Sequence, residues 1–396
     1  MPKSAPCYYR ETEIRADVGI GPYKGLPDAK DNYPMKKRRH NKRIRRFWQT
    51  LCVLMLCGAL LCLWRVLALG AGLDSQQAAR RWRGGGKGDF AQISCFVPVD
   101  EAVSQSDVYA FRMKLLDQYH AAALDAEGTD GLWVDAWSGI GKLPVSSSRA
   151  TGEASVIAVG GDFFTLHPLR LLSGSYIGES DLMHDRVLLD EELAWLLFGG
   201  IELQGMSLRI NGEPFVVAGV IEREQDSASL MAYTAGQGLY MSYDAYVGLT
   251  GTENITCYEL VSAEPVKGWT AQVARENFKL GRGEVLQNSG RFGLGRLLRL
   301  VEKLDSRSMQ AMGMIYPYWE NAARVTEDRC VRWLLLAILL VLIPAVTAVV
   351  ETFRLLRRGK DKLEDELLPR LKDNAEEAVR KRQRKRWEKK HGVHTK

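Results

Sequence analysis

Two long apolar segments without a charged residue constrain this chain more than any other feature. The first, Phe47–Trp64, reads FWQTLCVLMLCGALLCLW, and the second, Trp333–Val350, reads WLLLAILLVLIPAVTAVV. A helix of this length extends roughly 27 Å, which is close to the apolar thickness of a bilayer. The pattern predicts transmembrane helices at residues 47–70 and 332–351, the second kinked but not ended by Pro344.

Two other interpretations of these segments are open at this point. Either segment can be a buried core helix, and the first can be a secretory signal peptide cleaved near Ala68-Leu69-Gly70. Elsewhere the chain is polar, with 26% charged residues overall, so it is not a polytopic membrane protein.

Basic residues flank both apolar segments and predict their orientation. The run KKRRHNKRIRR precedes the first segment, and the tail after the second contains KRQRKRWEKK. Because Lys and Arg are enriched on the cytoplasmic side of membrane spans, both ends are expected in the cytoplasm and the central region outside. The sequence thus predicts a cell-membrane protein with two spans, a largely disordered basic segment at residues 1–46 and a basic tail at residues 352–396. Anionic membrane lipid is the expected partner of both ends, and no nucleic acid is expected.

The polar region between the spans predicts a mixed α+β fold. Residues 71–92 form a glycine-rich linker, and residues 93–285 form the folded extracytoplasmic core. Strand-like and helix-like segments are interspersed in this core, which favours an α/β arrangement of two subdomains. The dipeptide Asn211-Gly212 separates two alternating segments and predicts a two-residue β-hairpin.

A stalk helix region is predicted at residues 286–331. From Leu294 to Leu304, apolar residues that include Leu298 and Val301 recur at helical spacing. This helix is expected to join the outer core to the second span. Leu298 and Val301 are therefore candidate coupling residues.

The sequence carries no recognisable catalytic, cofactor or metal motif. Gly86-Lys87-Gly88 lacks the upstream glycine and the hydroxyl of a phosphate-binding loop. The outer histidines have no metal-ligand spacing, so we expect no enzyme activity, no cofactor and no metal. Cys95, Cys257 and Cys330 are odd in number, and the sequence leaves their disulfide pairing open.

Four short phrases between Val159 and Val220 carry a resemblance to a known family. They are Gly161-Asp162-Phe163-Phe164; Leu171-Leu172-Ser173-Gly174; Val187-Leu188-Leu189 followed by Leu197-Phe198-Gly199; and the spaced set Gly205, Leu208, Ile210, Asn211, Gly212, Phe215, Val217, Gly219 and Val220. In this order and spacing they resemble the periplasmic core domain of MacB-type ABC transporter permeases. The resemblance is close over this stretch and extends loosely from Ile93 to Leu280.

The chain also departs from that family. Ser175 stands where the family usually has arginine, and the run Glu202–Gly205 lacks the usual proline. MacB-type permeases have three spans after the core domain, whereas this chain has one. The last two transmembrane helices of the FtsX-like module are therefore missing.

The resemblance implies a permease-like membrane subunit of an ABC transporter-type complex. Such a subunit transmits conformational change between its outer core and a separate cytoplasmic ATPase, and it is expected to work with another permease chain. In the family a helix after the second span docks on the ATPase; here Lys362–Lys372 takes that place, with Leu367 as a coupling candidate although Pro369 interrupts the segment. The alternative is a membrane-anchored sensor or scaffold that binds a ligand or protein without transport.

Overall fold

A computed structural model of the chain describes residues 33–84, 89–122, 132–178, 181–232, 238–304, 310–311 and 313–391. The first part of the segment predicted to be disordered, residues 1–32, and linker residues 85–88 lie outside the described residues.

The helices are α1 (Tyr33–Ala71), α2 (Ala78–Arg83), α3 (Gln105–Ala121), α4 (Phe163–Leu166), α5 (Glu191–Leu197), α6 (Ser227–Ala232), α7 (Tyr243–Thr250), α8 (Trp269–Asn277), α9 (Leu294–Arg299), α10 (Tyr318–Lys362) and α11 (Leu368–His391). The strands are β1 (Phe90–Phe96), β2 (Trp133–Ser146), β3 (Thr151–Gly161), β4 (Leu171–Gly174), β5 (Arg186–Asp190), β6 (Ser207–Ile210), β7 (Glu213–Ile221), β8 (Gly238–Ser242), β9 (Cys257–Ala263), β10 (Glu284–Gln287), β11 (Gln310–Ala311) and β12 (Met314–Ile315).

The core is built on one mixed sheet of ten strands. Its order is β10-β1-β9-β2-β3-β8-β5-β7-β4, and β6 pairs with both β2 and β7. Two pairs, β3–β8 and β5–β7, are parallel, and the other neighbours are antiparallel. The mixed α+β core is thus confirmed, and a single sheet runs through the whole of it.

Both faces of the sheet are buried, because side chains alternate along each strand. On β5, for example, Val187 and Leu189 join one buried cluster while Leu188 joins the other. The first cluster lies beneath α3, α5, α7 and α8. The second lies beneath α2, α4 and the first turn of α10. The helix that enters the second apolar segment therefore starts inside the core.

Local signals fix the ends of several elements. The Asp190 carboxylate accepts a hydrogen bond from the Leu193 backbone N–H at 2.7 Å and caps α5. At the hairpin between β6 and β7, Asn211 and Gly212 have φ values of 51° and 91°. Positive φ at both central residues is the geometry of a type I′ turn, so the predicted hairpin is confirmed.

Among the residues that the structure describes, two helices are long and apolar enough to cross a membrane. In each, 17% of the most apolar stretch is buried inside the protein, which argues against the core-helix interpretation. Ala59 and Cys62 of α1 pack with Ala337 of α10, so small residues line the contact between the two helices. Arg65 lies over the Trp333 ring with its guanidinium carbon 5.9 Å from the ring centroid. Together with the core domain, these helices fit a membrane protein with two spans.

Candidate functional site: a buried charge cluster between the core and α10

The first turns of α10 are packed into the core and not exposed to solvent. Trp319 is 1% exposed and lies against Phe163 and His167, with ring centroids 5.6 and 4.6 Å away. Ala322 and Ala323 are buried against Ala228 and Ala232 of α6, because alanine side chains let two helix backbones approach closely. This end of α10 is therefore fixed to the core by apolar packing on two sides.

Arg291 lies at the centre of a buried charge cluster beside these turns. Its Nη1 and Nη2 atoms donate to Glu320 Oε2 and Oε1 at 2.6 and 2.7 Å. Its Nε and Nη2 atoms donate to Glu327 Oε1 and Oε2 at 2.7 and 3.2 Å. The three side chains are between 1% and 5% exposed. One guanidinium thus makes two bidentate contacts with α10, the geometry for which arginine is best suited.

Arg324 extends the cluster to the edge of the sheet. Its Nε donates to Glu320 Oε1 at 2.7 Å, and its Nη2 donates to Glu284 Oε1 on β10 at 2.8 Å. The guanidinium carbon lies 3.7 Å from the centroid of the Tyr316 ring, which adds a cation–π contact. We call Glu284, Arg291, Glu320, Arg324 and Glu327 the base cluster. The ion pairs of the base cluster connect α10 to β10 and to the loop that follows β10.

The electrostatics of the base cluster depend on complete pairing. Burial alone would lower the pKa of Arg291, but the attraction of Glu320 and Glu327 reverses this and raises the pKa above its ordinary value. The pKa of Arg324 is raised in the same way. Burial alone would lower this pKa, but the attraction of Glu320 outweighs the effect of burial. A buried charge that loses its partner costs several kcal/mol. Movement of α10 away from Arg291 is therefore opposed unless another group replaces the lost partner.

A second buried polar network ends at the same loop. Beneath the sheet, His167 Nε2 lies 2.5 Å from Glu259 Oε2, and Glu259 Oε1 accepts from Ser94 Oγ at 3.0 Å. Asn288 Nδ2 donates to Ser94 Oγ at 2.8 Å, and the Asn288 carbonyl accepts from the Arg291 N–H at 3.0 Å. A continuous chain of polar contacts thus leads from α4 to Arg291.

The stalk prediction requires a correction. The helix at Leu294 ends at Arg299, and a short 3-10 turn at Val301–Lys303 follows it. Its apolar side does not point along a continuous stalk, because Leu297 is buried against Val66, Val331 and Leu334 of the two apolar helices. The helix that joins the core to the second span begins instead at Tyr318 and runs through Pro344 to Lys362.

The other sequence candidates occupy separate places. Asn211 donates from Nδ2 to the Leu249 carbonyl at 3.3 Å, and the space around the Gly212 Cα is open. Leu298 is 47% exposed on α9, while Val301 packs with the Leu297 cluster. Leu367 ends a π-helical turn between α10 and α11. None of these five residues belongs to the base cluster.

Pro369, expected to interrupt its segment, lies at the second position of α11. A π-helical turn at Leu363–Leu367 directly precedes α11, and such an irregularity in the helical hydrogen-bond ladder is a common accompaniment of proline in a helix. The chain therefore continues as a helix through this segment.

Three of the free cysteines are buried in or beside the core. Cys95, Cys257 and Cys330 are all unpaired thiols, and Cys95 and Cys257 lie on neighbouring strands β1 and β9 but one position out of register. Burial raises the pKa of both Cys95 and Cys257, so their thiols stay protonated. Within the described part of the chain, no group of three or more His, Cys, Asp and Glu side chains is arranged to hold a metal ion.

The hairpin gives a first testable prediction. Gly212→Val is expected to lower the free energy of unfolding by about 1–3 kcal/mol, because valine disfavours positive φ. No heavy atom lies within 4 Å of the position of an added Cβ, so the cost comes from the backbone alone. Gly200→Val is the matched control, since that site is equally open and Gly200 is not among the positive-φ residues. Thermal unfolding of the purified chain measures both; equal losses would contradict the role of the turn.

Comparison with known proteins identifies the core. Residues 89–275 match the family model of the MacB-like periplasmic core domain. No curated protein matches the chain significantly.

Three solved structures are similar at low identity. The extracellular domain of the noncanonic ABC-type transporter YknZ from Gram-positive bacteria is 14% identical over 48% of this chain and 92% of its own, with a TM-score of 0.34. The periplasmic region of MacB from Actinobacillus actinomycetemcomitans is 14% identical over 50% of this chain and 89% of its own, with a TM-score of 0.36. A domain of a permease protein from Porphyromonas gingivalis is 14% identical over 53% of this chain and 96% of its own, with a TM-score of 0.30. The family match covers residues 89–275, which lie between the two apolar helices and contain the four phrases between Val159 and Val220; this stretch is similar to the MacB-like periplasmic core domain.

Proposed function

We propose that this chain is a permease-like membrane subunit of an ABC transporter-type complex. It transmits conformational change between its outer core and a separate cytoplasmic ATPase, and it works beside another permease chain. In this arrangement both basic ends lie in the cytoplasm against anionic lipid. The observation that carries the proposal is the base cluster, which ties the core to a helix that continues through the second apolar segment.

The length of α10 supports transmission over the whole membrane. Its 45 residues correspond to a rod of roughly 68 Å at the helical rise per residue. Glu320 and Glu327 near its start are held by Arg291 of the core. A tilt or shift of either end of this helix therefore displaces the other end, which is how packed helices carry motion between sites.

The segment that follows α10, from Leu363 into α11, has a surface suited to a partner. Leu363, Leu367, Leu368 and Leu371 are between 44% and 62% exposed, in a region that is otherwise strongly charged. Exposed leucines grouped within two helical turns are typical of a helix that docks in a groove of another protein. We assign these leucines to the ATPase contact.

Two of the original coupling candidates keep a role in this proposal. Val301 packs in the same cluster as Val66 of α1 and Leu334 of α10, so α9 bridges the outer ends of both membrane helices. Leu298 is exposed on the same short helix. It is a candidate contact for the other permease chain.

The ATPase contact is tested by co-purification from native membranes. Leu367→Asp with Leu371→Asp is expected to abolish recovery of a chain that carries ATP-binding motifs, identified by mass spectrometry, because a buried carboxylate is costly at an apolar interface. Val379→Asp is the matched control, since Val379 is 51% exposed further along α11. If no ABC-type ATPase accompanies the wild-type chain, the proposal fails and the scaffold alternative is favoured.

Transmission is tested on the complex recovered in this way. A non-hydrolysable ATP analogue is expected to change the hydrogen exchange of residues 287–293 and of the first turns of α10. Unchanged exchange in an intact, nucleotide-bound complex would mean that α10 only anchors the core.

A further inference from the structure

A groove of about 810 Å³ opens where α1 leaves the apolar layer. Val66, Leu67 and Gly70 of α1 form one wall, Arg80 of α2 and Lys267 lie at its rim, and Phe292 closes its base. The Phe292 ring covers Gly70 so closely that an added Cβ there would lie 2.8 Å from the ring. This groove is distinct from the exposed leucines proposed to meet the ATPase.

The apolar wall of the groove continues the lipid-facing surface of α1. Leu67 is 70% exposed and Trp64, one turn earlier, is 58% exposed. Arg65 and Trp333 lie together at the same level, and these residue types favour the depth of the lipid headgroups. The groove therefore starts among acyl chains and ends among headgroups.

The rim of the groove has unpaired positive charge. Arg83 pairs with Asp89 at 3.3 Å, and Glu264 accepts hydrogen bonds from the Gly268 N–H and from Gln287 Nε2. Arg80 and Lys267 are exposed, and in the described part of the chain neither has an ion-pair partner. A phosphate group supplies the charge and the acceptor oxygens that these two cations lack.

Two buried polar atoms in the groove wall also lack a hydrogen-bond partner. They are Gln76 Nε2, a donor, and Asn288 Oδ1, an acceptor. Both residues line the groove and are 6% and 3% exposed. Because unpaired buried polar atoms are costly, a ligand whose ester and hydroxyl oxygens reach these two atoms would be stabilised by them.

We infer that this groove binds an anionic phospholipid from the leaflet next to the core domain. The phosphate lies at Arg80 and Lys267, the glycerol region faces Gln76 and Asn288, and an acyl chain follows Val66 and Leu67. Apolar wall, basic rim and position on the membrane helix together match a lipid better than a soluble anion. The inference needs neither an ATPase nor transmission through α10.

Site-specific photo-crosslinking on the full chain tests this inference. A photoreactive amino acid replaces Leu67 in bilayers that contain phosphatidylglycerol and phosphatidylcholine, and mass spectrometry identifies the crosslinked lipid. The matched position is Leu61, which is 57% exposed on α1 and lies outside the groove. The ratio of phosphatidylglycerol to phosphatidylcholine is expected to be about fivefold or more above the bilayer ratio at Leu67, since a single cation near an anionic surface gives about this factor. At Leu61 the ratio should equal that of the bilayer.

Charge reversal assigns the enrichment to the groove. Arg80→Glu with Lys267→Glu should reduce the ratio at Leu67 to that at Leu61, while the control Lys142→Glu with Lys279→Glu, which reverses two exposed cations outside the groove, should not. The inference is overturned if phosphatidylglycerol is still enriched at Leu67 in the variant with Arg80→Glu and Lys267→Glu. It is also overturned if the wild type gives the same ratio of phosphatidylglycerol to phosphatidylcholine at Leu67 and Leu61. Loss of the enrichment on adding soluble glycerol phosphate also overturns it, because the site would then recognise the free headgroup.

Discussion

Arg291→Met is expected to destabilise the full chain by about 3–5 kcal/mol, the cost of leaving buried carboxylates without their partner. The substitution keeps most of the side-chain volume but removes the four hydrogen bonds that Arg291 donates to Glu320 and Glu327, whose side chains are 1% and 5% exposed. Arg324 then remains as the one guanidinium among three carboxylates of the base cluster. For a core of this size the loss corresponds to a fall in Tm of roughly 10 °C. Thermal unfolding of the detergent-solubilised chain, followed by tryptophan fluorescence, measures it.

Two comparison variants separate the charge effect from general damage. Arg299→Met removes an exposed arginine from α9 and should change Tm little, because exposed charges contribute little. Adding Glu327→Gln to Arg291→Met should recover part of the loss in Tm, because one of the two buried carboxylates that no longer contact Arg291 is then replaced by a neutral amide. A Tm for Arg291→Met equal to that of Arg299→Met would contradict the assigned role of the base cluster.

The hairpin between β6 and β7 follows from a local sequence pattern. The Asn211-Gly212 turn depends on two adjacent residues, and the structure has it where the sequence predicts it. The Asp190 cap of α5 is equally local, because an N-cap needs only the backbone three residues further on. Predictions of this kind succeed when the deciding interactions are local.

The base cluster was not predicted because its partners meet only in the folded chain. Arg291 is 29 residues from Glu320 and 36 from Glu327, and charged residues are by default assigned to the solvent-exposed surface. One local signal was present: Glu320, Arg324 and Glu327 are spaced to lie on one side of a helix that enters an apolar segment. Nothing in the sequence near Arg291 marks it as buried.

The prediction that a helix from Leu294 to Leu304 joins the core to the second apolar segment was wrong for a related reason. The leucines from Leu294 to Leu304 do lie at helical spacing, but periodicity does not say what an apolar side covers. In the structure Leu297 covers the ends of both apolar helices that lie next to the core. A short helix that packs against the ends of other helices and a long helix that continues into a membrane can have the same spacing of apolar residues.

Gly174 and Gly219 face each other across β4 and β7, and the close approach of these strands leaves no room for a larger residue at Gly174. Gly174 pairs with Gly219 and has a φ of 80°. A Cβ on Gly174 would lie 2.1 Å from the Ala218 carbonyl oxygen and 2.6 Å from the Gly219 Cα. Both neighbours are backbone atoms, so no side-chain rotation can relieve the contact. The strands can accommodate a larger residue only by separating.

Gly174→Ala is therefore expected to lower the free energy of unfolding by about 3 kcal/mol or more, from positive-φ strain together with the backbone clash. Gly205→Ala is the matched control, because Gly205 has a φ of 82° and no heavy atom within 4 Å of an added Cβ; it should cost only about 1–2 kcal/mol of conformational strain. Thermal unfolding gives the two losses, and hydrogen exchange should show faster exchange in β4 for Gly174→Ala alone, since β4 is the edge strand that can move away. Equal losses for the two variants would mean that β4 and β7 separate at little cost, and that the glycine pair does not set their close approach.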